Sequence, residues 1–350
     1  MKIYIPIWDK NPWDAPNPYV ATLCEGMKTL HGDCSFAFDE ELIWLDKCES
    51  FDIIHIMWPH LFVSKMQQGQ NLQARLLFLK SKGIKIVSTC HNYYTHVIHN
   101  DFDNLSYEIV YKLSDVIIHL GQSSFERFLN KYPNTHQIII PHHVYDHLYQ
   151  LMPDKNDALR KLSLKRNRKY ILCLGAFRKN QEKEMVITLA QNLKGTKIHI
   201  IAPLLYNWPK GKRGWRSAIK KWLSLRMKCP NLHVKGHFIP KEDIPYYYAA
   251  CDVSFIQRTS ILNSGNVPMG LLFGNVVVGP DVGNVGIWLK QLGNPVFNPN
   301  DTKSITKAIK KGFELATLGY GKKNRIYALD QLNTDKISEL HYICYMKLLS

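Results

Sequence analysis

Residues 263–266 read Asn-Ser-Gly-Asn, just ahead of Pro268 and a short apolar run that ends at Gly274. Small residues that open a helix leave backbone N–H groups pointing at anionic oxygens, and the helix dipole adds a favourable potential. Asn263, Ser264, Gly265 and Asn266 therefore suit a diphosphate cradle. The plainer alternative is a capped turn, with Ser264 or Asn266 as N-cap and Pro268 in the first turn. Arg178, in the run Gly175-Ala-Phe-Arg-Lys179, is a second group suited to an anion. Its guanidinium is permanently charged and grips phosphate oxygens two at a time. A third group is His91-Asn92-Tyr-Tyr-Thr-His96. An imidazole there can share a proton with a sugar hydroxyl or donate a hydrogen bond to it. The chain has 15 His, so most must be structural. A position directly after a strand singles out His91, ahead of Asn92 and His96.

These residues need elements to carry them. The first half alternates apolar, β-branched runs at 2–7, 53–57, 84–89, 116–120 and 137–141 with amphipathic stretches at 19–30, 71–82 and 123–131. Nearly continuous apolar runs are strands buried on both faces of a parallel sheet, and the alternation predicts a doubly wound α/β domain. A polar, basic stretch at 154–169 interrupts the pattern and is expected to be a linker. The alternation then restarts, with strands expected at 170–174, 197–201, 232–235, 253–256 and 276–278 and helices at 182–193, 215–227, 243–250 and 268–273. Two Rossmann-like domains are expected, 1–153 and 170–325, facing a central cleft. Residues 326–350 are expected to form a helix that packs back on the first. In such sheets the ligand lies beyond the carboxyl ends of the strands, which is where Arg178, His91 and 263–266 fall.

A length of 350 residues suits two domains. Hydrophobic residues make up 45%, enough for two packed cores. No apolar run approaches the roughly 20 residues that span a bilayer, and the first residues read as a strand rather than a secretory signal. The eight cysteines are scattered without metal-binding spacing, and we read them as reduced and cytosolic. The segment 155–230 holds 20 Lys or Arg against 3 Asp or Glu and so carries the whole of the chain's net +16. Such a basic half implies nucleic acid, an anionic membrane or phosphorylated small molecules as partner. Nothing resembles a helix-turn-helix, a zinc finger or an RNA-binding strand, which disfavours nucleic acid. Within this segment Trp215, Ile219, Trp222 and Leu223 recur at helical spacing among Lys and Arg. That pattern fits 210–228 as a peripheral helix on an anionic bilayer, or equally as a helix whose apolar stripe packs on its own sheet.

Taken in order, Gly236-His-Phe-Ile239, Ala250-Cys-Asp252, Ser264-Gly265 and Gly274-Asn-Val-Val-Val278 resemble the C-terminal half of the group-one retaining glycosyltransferases of the GT-B fold. Asp52-Ile-Ile-His55, Ser88-Thr-Cys-His-Asn92, Ser114-Asp115 and Ile138-Ile-Ile-Pro-His142 look like the matching N-terminal landmarks. The resemblance implies transfer of a sugar from a nucleoside-diphosphate donor, with retained configuration and no required metal or cofactor. The acceptor would be a glycan or a polyprenyl-linked glycan in surface polysaccharide synthesis. Ser264, Gly265 and Asn266 would offer backbone donors to the diphosphate and Arg178 would neutralise it. Phe238 and Ile239 would line the nucleobase.

The chain also departs from the family. The two Glu residues that many members place before the last Gly motif are Ile261 and Met269 here, and a downstream Lys is Gln181. The Gly-rich first loop is replaced by Trp8-Asp-Lys-Asn11-Pro-Trp13, which puts Trp8 and Asn11 on the sugar or acceptor side. A degenerate nucleotide- or glycan-binding homologue is the alternative these losses suggest. Asp101-Phe-Asp103 has the form of a metal-diphosphate motif, but it lies in a polar loop rather than closing a strand.

Overall fold

The computed structural model describes residues 1–350 with the exception of 16, 64–65, 96–101, 207–214 and 238 and of the Met66 side chain. Met1–Leu148 together with Leu332–Ser350 forms one compact unit, and Tyr149–Gln331 forms another.

The first unit runs β1 (Lys2–Ile5), α1 (Tyr19–Leu30), β2 (Ser35–Phe38), β3 (Ile53–Ile56), α2 (Met66–Ser81), β4 (Lys85–Cys90), α3 (Phe102–Leu113), β5 (Val116–His119), α4 (Gln122–Lys131) and β6 (His136–Ile139). Its six strands lie parallel in the order β2-β1-β3-β4-β5-β6. The middle strands β3 and β5 are buried along their whole length, as strands covered by helices on both faces must be. The edge strand β2 is only half-buried and was not anticipated.

The second unit begins with α5 (Lys155–Lys161), followed by β7 (Lys169–Leu172), α6 (Asn180–Asn192), β8 (Ile198–Ile201), α7 (Trp215–Lys228), β9 (Leu232–His233), α8 (Ile244–Ala249), β10 (Val253–Phe255), α9 (Asn266–Leu272), β11 (Val276–Pro280), α10 (Gly283–Gln291), β12 (Val296–Phe297), α11 (Thr302–Thr317) and α12 (Tyr320–Gln331). Its parallel strand order is β12-β11-β10-β7-β8-β9. The core under α6 and α11 is built from Ile171, Val186, Leu189, Val253, Phe255 and Ile309.

The stretch 154–169 is not the expected linker. Asp154 caps α5 by accepting from the Asn156 N–H at 2.7 Å, and Ala158 and Leu159 are buried. Lys155 pairs with Asp252, and Lys161 lies 2.6 Å from Asp243. A polar sequence hid a short helix that buries only two apolar side chains. The C-terminal region is likewise two helices. The first is α12, and the second, α13 (Thr334–Leu349), belongs to the first unit and packs on α1. The crossing requires Gly26, where an added Cβ would stand 2.4 Å from the Ser338 hydroxyl.

Candidate functional site

In the second unit the chain winds outward from β7 through β8 to β9, then returns to lay β10 on the other side of β7. The carboxyl ends of β7 and β10 therefore flank a topological switch point, the usual ligand position in an open parallel sheet. The loop after β7 turns at Gly175 (φ +105°), where a Cβ would press to 3.1 Å of the Asn266 amide. The loop after β10 carries Arg258, which is only 8% exposed. Its guanidinium donates to Glu182 Oε2 at 2.6 Å and to the Ala176 carbonyl at 2.8 Å. Glu182, in the first turn of α6 and 2% exposed, also accepts from the Arg178 backbone N–H at 2.7 Å. Arg178 is thus set by its main chain, and its side chain keeps exposed surface while lying near Arg258. Desolvation and the neighbouring Arg258 charge lower the Arg178 pKa from its ordinary value, against an opposing pull from Glu182. Glu182 already pairs with Arg258, so an arriving anion would relieve the repulsion between the two guanidiniums.

Residues 263–266 stand beside this loop in a more constrained form than a free cradle. The Asn266 side chain donates to the Leu174 carbonyl at 2.6 Å, tying the ends of β10 and β7 together. Its backbone N–H faces Ser264 Oγ at 3.4 Å, and the Val267 N–H is taken by the Ser264 carbonyl at 3.1 Å. Asn263 Oδ1 accepts from the Asn284 amide at 2.8 Å. Helix α9 has only 7 residues, so its dipole is small. The Asn263 and Asn266 side chains are thus engaged as clamps that shape the loop, and the expected anion contact of residues 263–266 falls to their main chain. Gly283 (φ +57°) closes in from α10, where a Cβ would lie 2.3 Å from the Ile261 carbonyl. Met269 is buried and Ile261 half-buried, so no carboxylate stands at either position. Ile239 is only 5% exposed and offers a nucleobase little surface, and Phe238 lies outside the described residues.

The first unit has its own switch point between β1 and β3. On the loop after β1, Trp8 is 60% exposed with its indole N–H 3.3 Å from the Leu61 carbonyl, and Asn11 shapes a turn by accepting from the Trp13 N–H at 3.3 Å. His91 follows β4 and is buried, stacked on Trp58 (4.8 Å between ring centres) and edge-on to Tyr19 (4.7 Å). Burial, reinforced by His142 and His341, holds the His91 pKa well below the ordinary imidazole value, so the ring is neutral near pH 7. Of the two roles expected for it, the neutral ring suits a hydrogen bond to a hydroxyl; it supplies no charge. The Asn92 carbonyl accepts from the Tyr111 hydroxyl at 2.6 Å, which fixes the turn. His96 and Asp101 lie outside the described residues, and Asp103 is buried in the first turn of α3. Among the described residues no group of three His, Cys, Asp or Glu has the arrangement of a metal site.

No family model matches the chain, and no curated protein does. Solved structures do. A sucrose-phosphate synthase from Thermosynechococcus elongatus superposes with a TM-score of 0.74 at 15% identity, covering 99% of this chain and 98% of that one. The Anabaena protein HepE, solved with UDP-glucose, gives 0.72 at 12% identity over 99% and 100%. The fold is GT-B. A candidate UDP-N-acetylglucosamine 2-epimerase from Listeria monocytogenes is similar too, with a TM-score of 0.65 at 9% identity over 99% and 95%. The GT-B fold thus accompanies more than one named chemistry, and function has to be argued from the site.

Sequence reading missed two groups on this GT-B scaffold. Arg258 and Glu182 form a buried pair across 76 positions, and the only local signal was an Arg two residues beyond a strand. His55, His142, His143 and His341 join His91 in a buried aromatic cluster in the first unit. His55 bonds Thr89 Oγ1 at 2.7 Å and the Tyr345 hydroxyl at 2.6 Å, and His143 bonds Thr22 Oγ1 at 2.6 Å. For all but His341, which lies in α13, the local signal was a His at or just past a strand.

Proposed function

We propose that this protein is a retaining, group-one type glycosyltransferase that moves a sugar from a nucleoside-diphosphate donor to a glycan or lipid-linked glycan in surface polysaccharide synthesis. The observation that carries the reading is Arg178, an exposed cation set beside the buried Arg258–Glu182 pair at the β7/β10 switch point. In the reaction the bond between the anomeric carbon and the phosphate oxygen breaks, and its electron pair stays on the diphosphate. The acceptor oxygen bonds to the same face of that carbon, and its proton passes to the departing phosphate. Arg178 and the Ser264–Gly265 main chain meet charge that grows as the bond breaks, so they favour the transition state over the ground state. Arg178 takes the part a divalent cation plays in other transferases. His91 serves as a neutral hydrogen-bond partner for a hydroxyl. The likeness to HepE, solved with UDP-glucose, supports a nucleotide-sugar donor.

The free, buried cysteines support a reducing, cytoplasmic location, at the inner face of the membrane where lipid-linked acceptors are presented. Among the described residues no helix is long and apolar enough to cross a membrane.

Ile261 and Met269, at positions where carboxylates would hold sugar hydroxyls, favour a second reading as a binding protein without turnover. A thermal-shift panel of UDP- and GDP-sugars, followed by product analysis, tests both. A donor that raises the melting temperature identifies the base, and sugar recovered on an acceptor with free nucleoside diphosphate establishes transfer. A shift without product supports the binding protein, and no shift with any nucleotide sugar ends the transferase reading and leaves a glycan binder, tested by the same panel run with glycans.

A further inference from the structure

Helix α7 carries two apolar stripes, one facing its own sheet and one largely exposed. Ala218, Trp222 and Leu225 turn toward the sheet, with Leu225 in the core and the other two half-buried. Trp215, Ile219, Leu223 and Met227 turn away, at 42%, 43%, 47% and 75% exposure. Four-residue spacing stacks these side chains into one continuous ridge along the helix. Arg216, Lys220 and Arg226 lie along that ridge, Lys221 and Lys228 fall on the opposite flank of the helix, and no acidic residue occurs anywhere in 215–228. Arg226 and Lys235 border the same cavity beside Trp222, so the positive charge extends past the helix.

A second apolar stripe on the water side is costly unless something covers it. A nucleic acid would satisfy the cations and leave Ile219, Leu223 and Met227 in water. A protein groove would cover the apolar side chains but would have to bring several acids to a helix that has none of its own. An anionic bilayer meets both demands at once, with the ridge at the acyl boundary and the Lys and Arg side chains reaching headgroups. We propose that α7 docks this protein on an anionic lipid surface through the Trp215–Ile219–Leu223–Met227 ridge. None of these residues belongs to the donor site, so the proposal stands or falls apart from the transferase reading.

The test is sedimentation of the full chain with vesicles of phosphatidylcholine alone or mixed with phosphatidylglycerol. Three double variants are compared: Ile219→Ser with Leu223→Ser, Arg216→Glu with Lys220→Glu, and Lys303→Glu with Lys307→Glu on α11 as an equal change of charge elsewhere. Every position is exposed, and an unchanged melting temperature reports the fold. The expected result is binding of the wild type to the anionic vesicles only, lowered at least about tenfold by each ridge variant and little changed by the α11 variant. The proposal is overturned if the wild type fails to sediment with anionic vesicles, or if the α11 variant loses as much as the charge-reversed ridge. It is equally overturned if the serine variant leaves vesicle binding intact while dissolving a self-associated dimer.

Discussion

The two sheets have closely similar wiring, yet their switch points are furnished in opposite ways. At β7/β10 the groups are charged side chains: Arg178 exposed, Arg258 and Glu182 paired within. Beyond β1, β3 and β4 of the first unit they are neutral, with Trp58, Tyr19 and His91 stacked and a buried histidine cluster behind them. One fold thus carries charged side chains at one switch point and, separately, buried rings and uncharged hydrogen-bonding groups at the other. Backbone topology decides where a ligand sits, and side-chain charge decides which part of it is held there.

The largest expected effect comes from acid. Free imidazoles take up a proton as pH falls through about 6.5, while burial holds His142 and His341 to about 4 and keeps His55, His91 and His143 well below the ordinary value. Between those limits the unfolded chain binds more protons than the folded one, so stability falls as pH falls, by about 1.4 kcal/mol per pH unit for each such group. The second unit holds only His199 and His233 in comparable surroundings. Hydrogen exchange followed across this window should show the first unit opening before the second, and simultaneous opening would erase the contrast.

Next in size is Glu182→Leu, which strands Arg258 in the interior and should lower stability by about 3–5 kcal/mol, with most of that recovered by adding Arg258→Met. Urea unfolding of the single and double variants measures it; an unaffected single variant would mean the pair is solvated. Arg178→Ala should reduce turnover at least tenfold, about 1.4 kcal/mol or more, without shifting the unfolding midpoint. Wild-type turnover in this variant removes the guanidinium from the mechanism. The smallest effect is expected from EDTA, which should leave turnover unchanged because Arg178 supplies the charge; loss of activity restored by Mg²⁺ or Mn²⁺ contradicts that.

The central strands were readable because an unbroken run such as Ile53–Ile56 has no soluble alternative to a doubly covered sheet. Elements that bury only part of themselves were not: β2 is half-exposed, and β12 has 2 residues. With so little strand to punctuate the chain, α10 and α11 gave no β-α alternation to follow. Arg178 could be picked out by its place after a strand and a glycine. Arg258 could not, since the carboxylate that defines it is 76 residues away. Likewise the clamp role of Asn266 depends on a carbonyl 92 residues away, which no local pattern encodes.

The interleaving of the units bears on how the protein is made. Tyr149–Gln331 is one uninterrupted segment and has every internal partner once its last residue is synthesised. The earlier-made sheet must wait for α13, because Ser338 seats on the Leu23 carbonyl and Tyr345 completes the His55 hydrogen bond across 290 residues. Contacts so distant in sequence form slowly. The half of the molecule that leaves the ribosome first therefore cannot complete its histidine–tyrosine core until the last helix has been made.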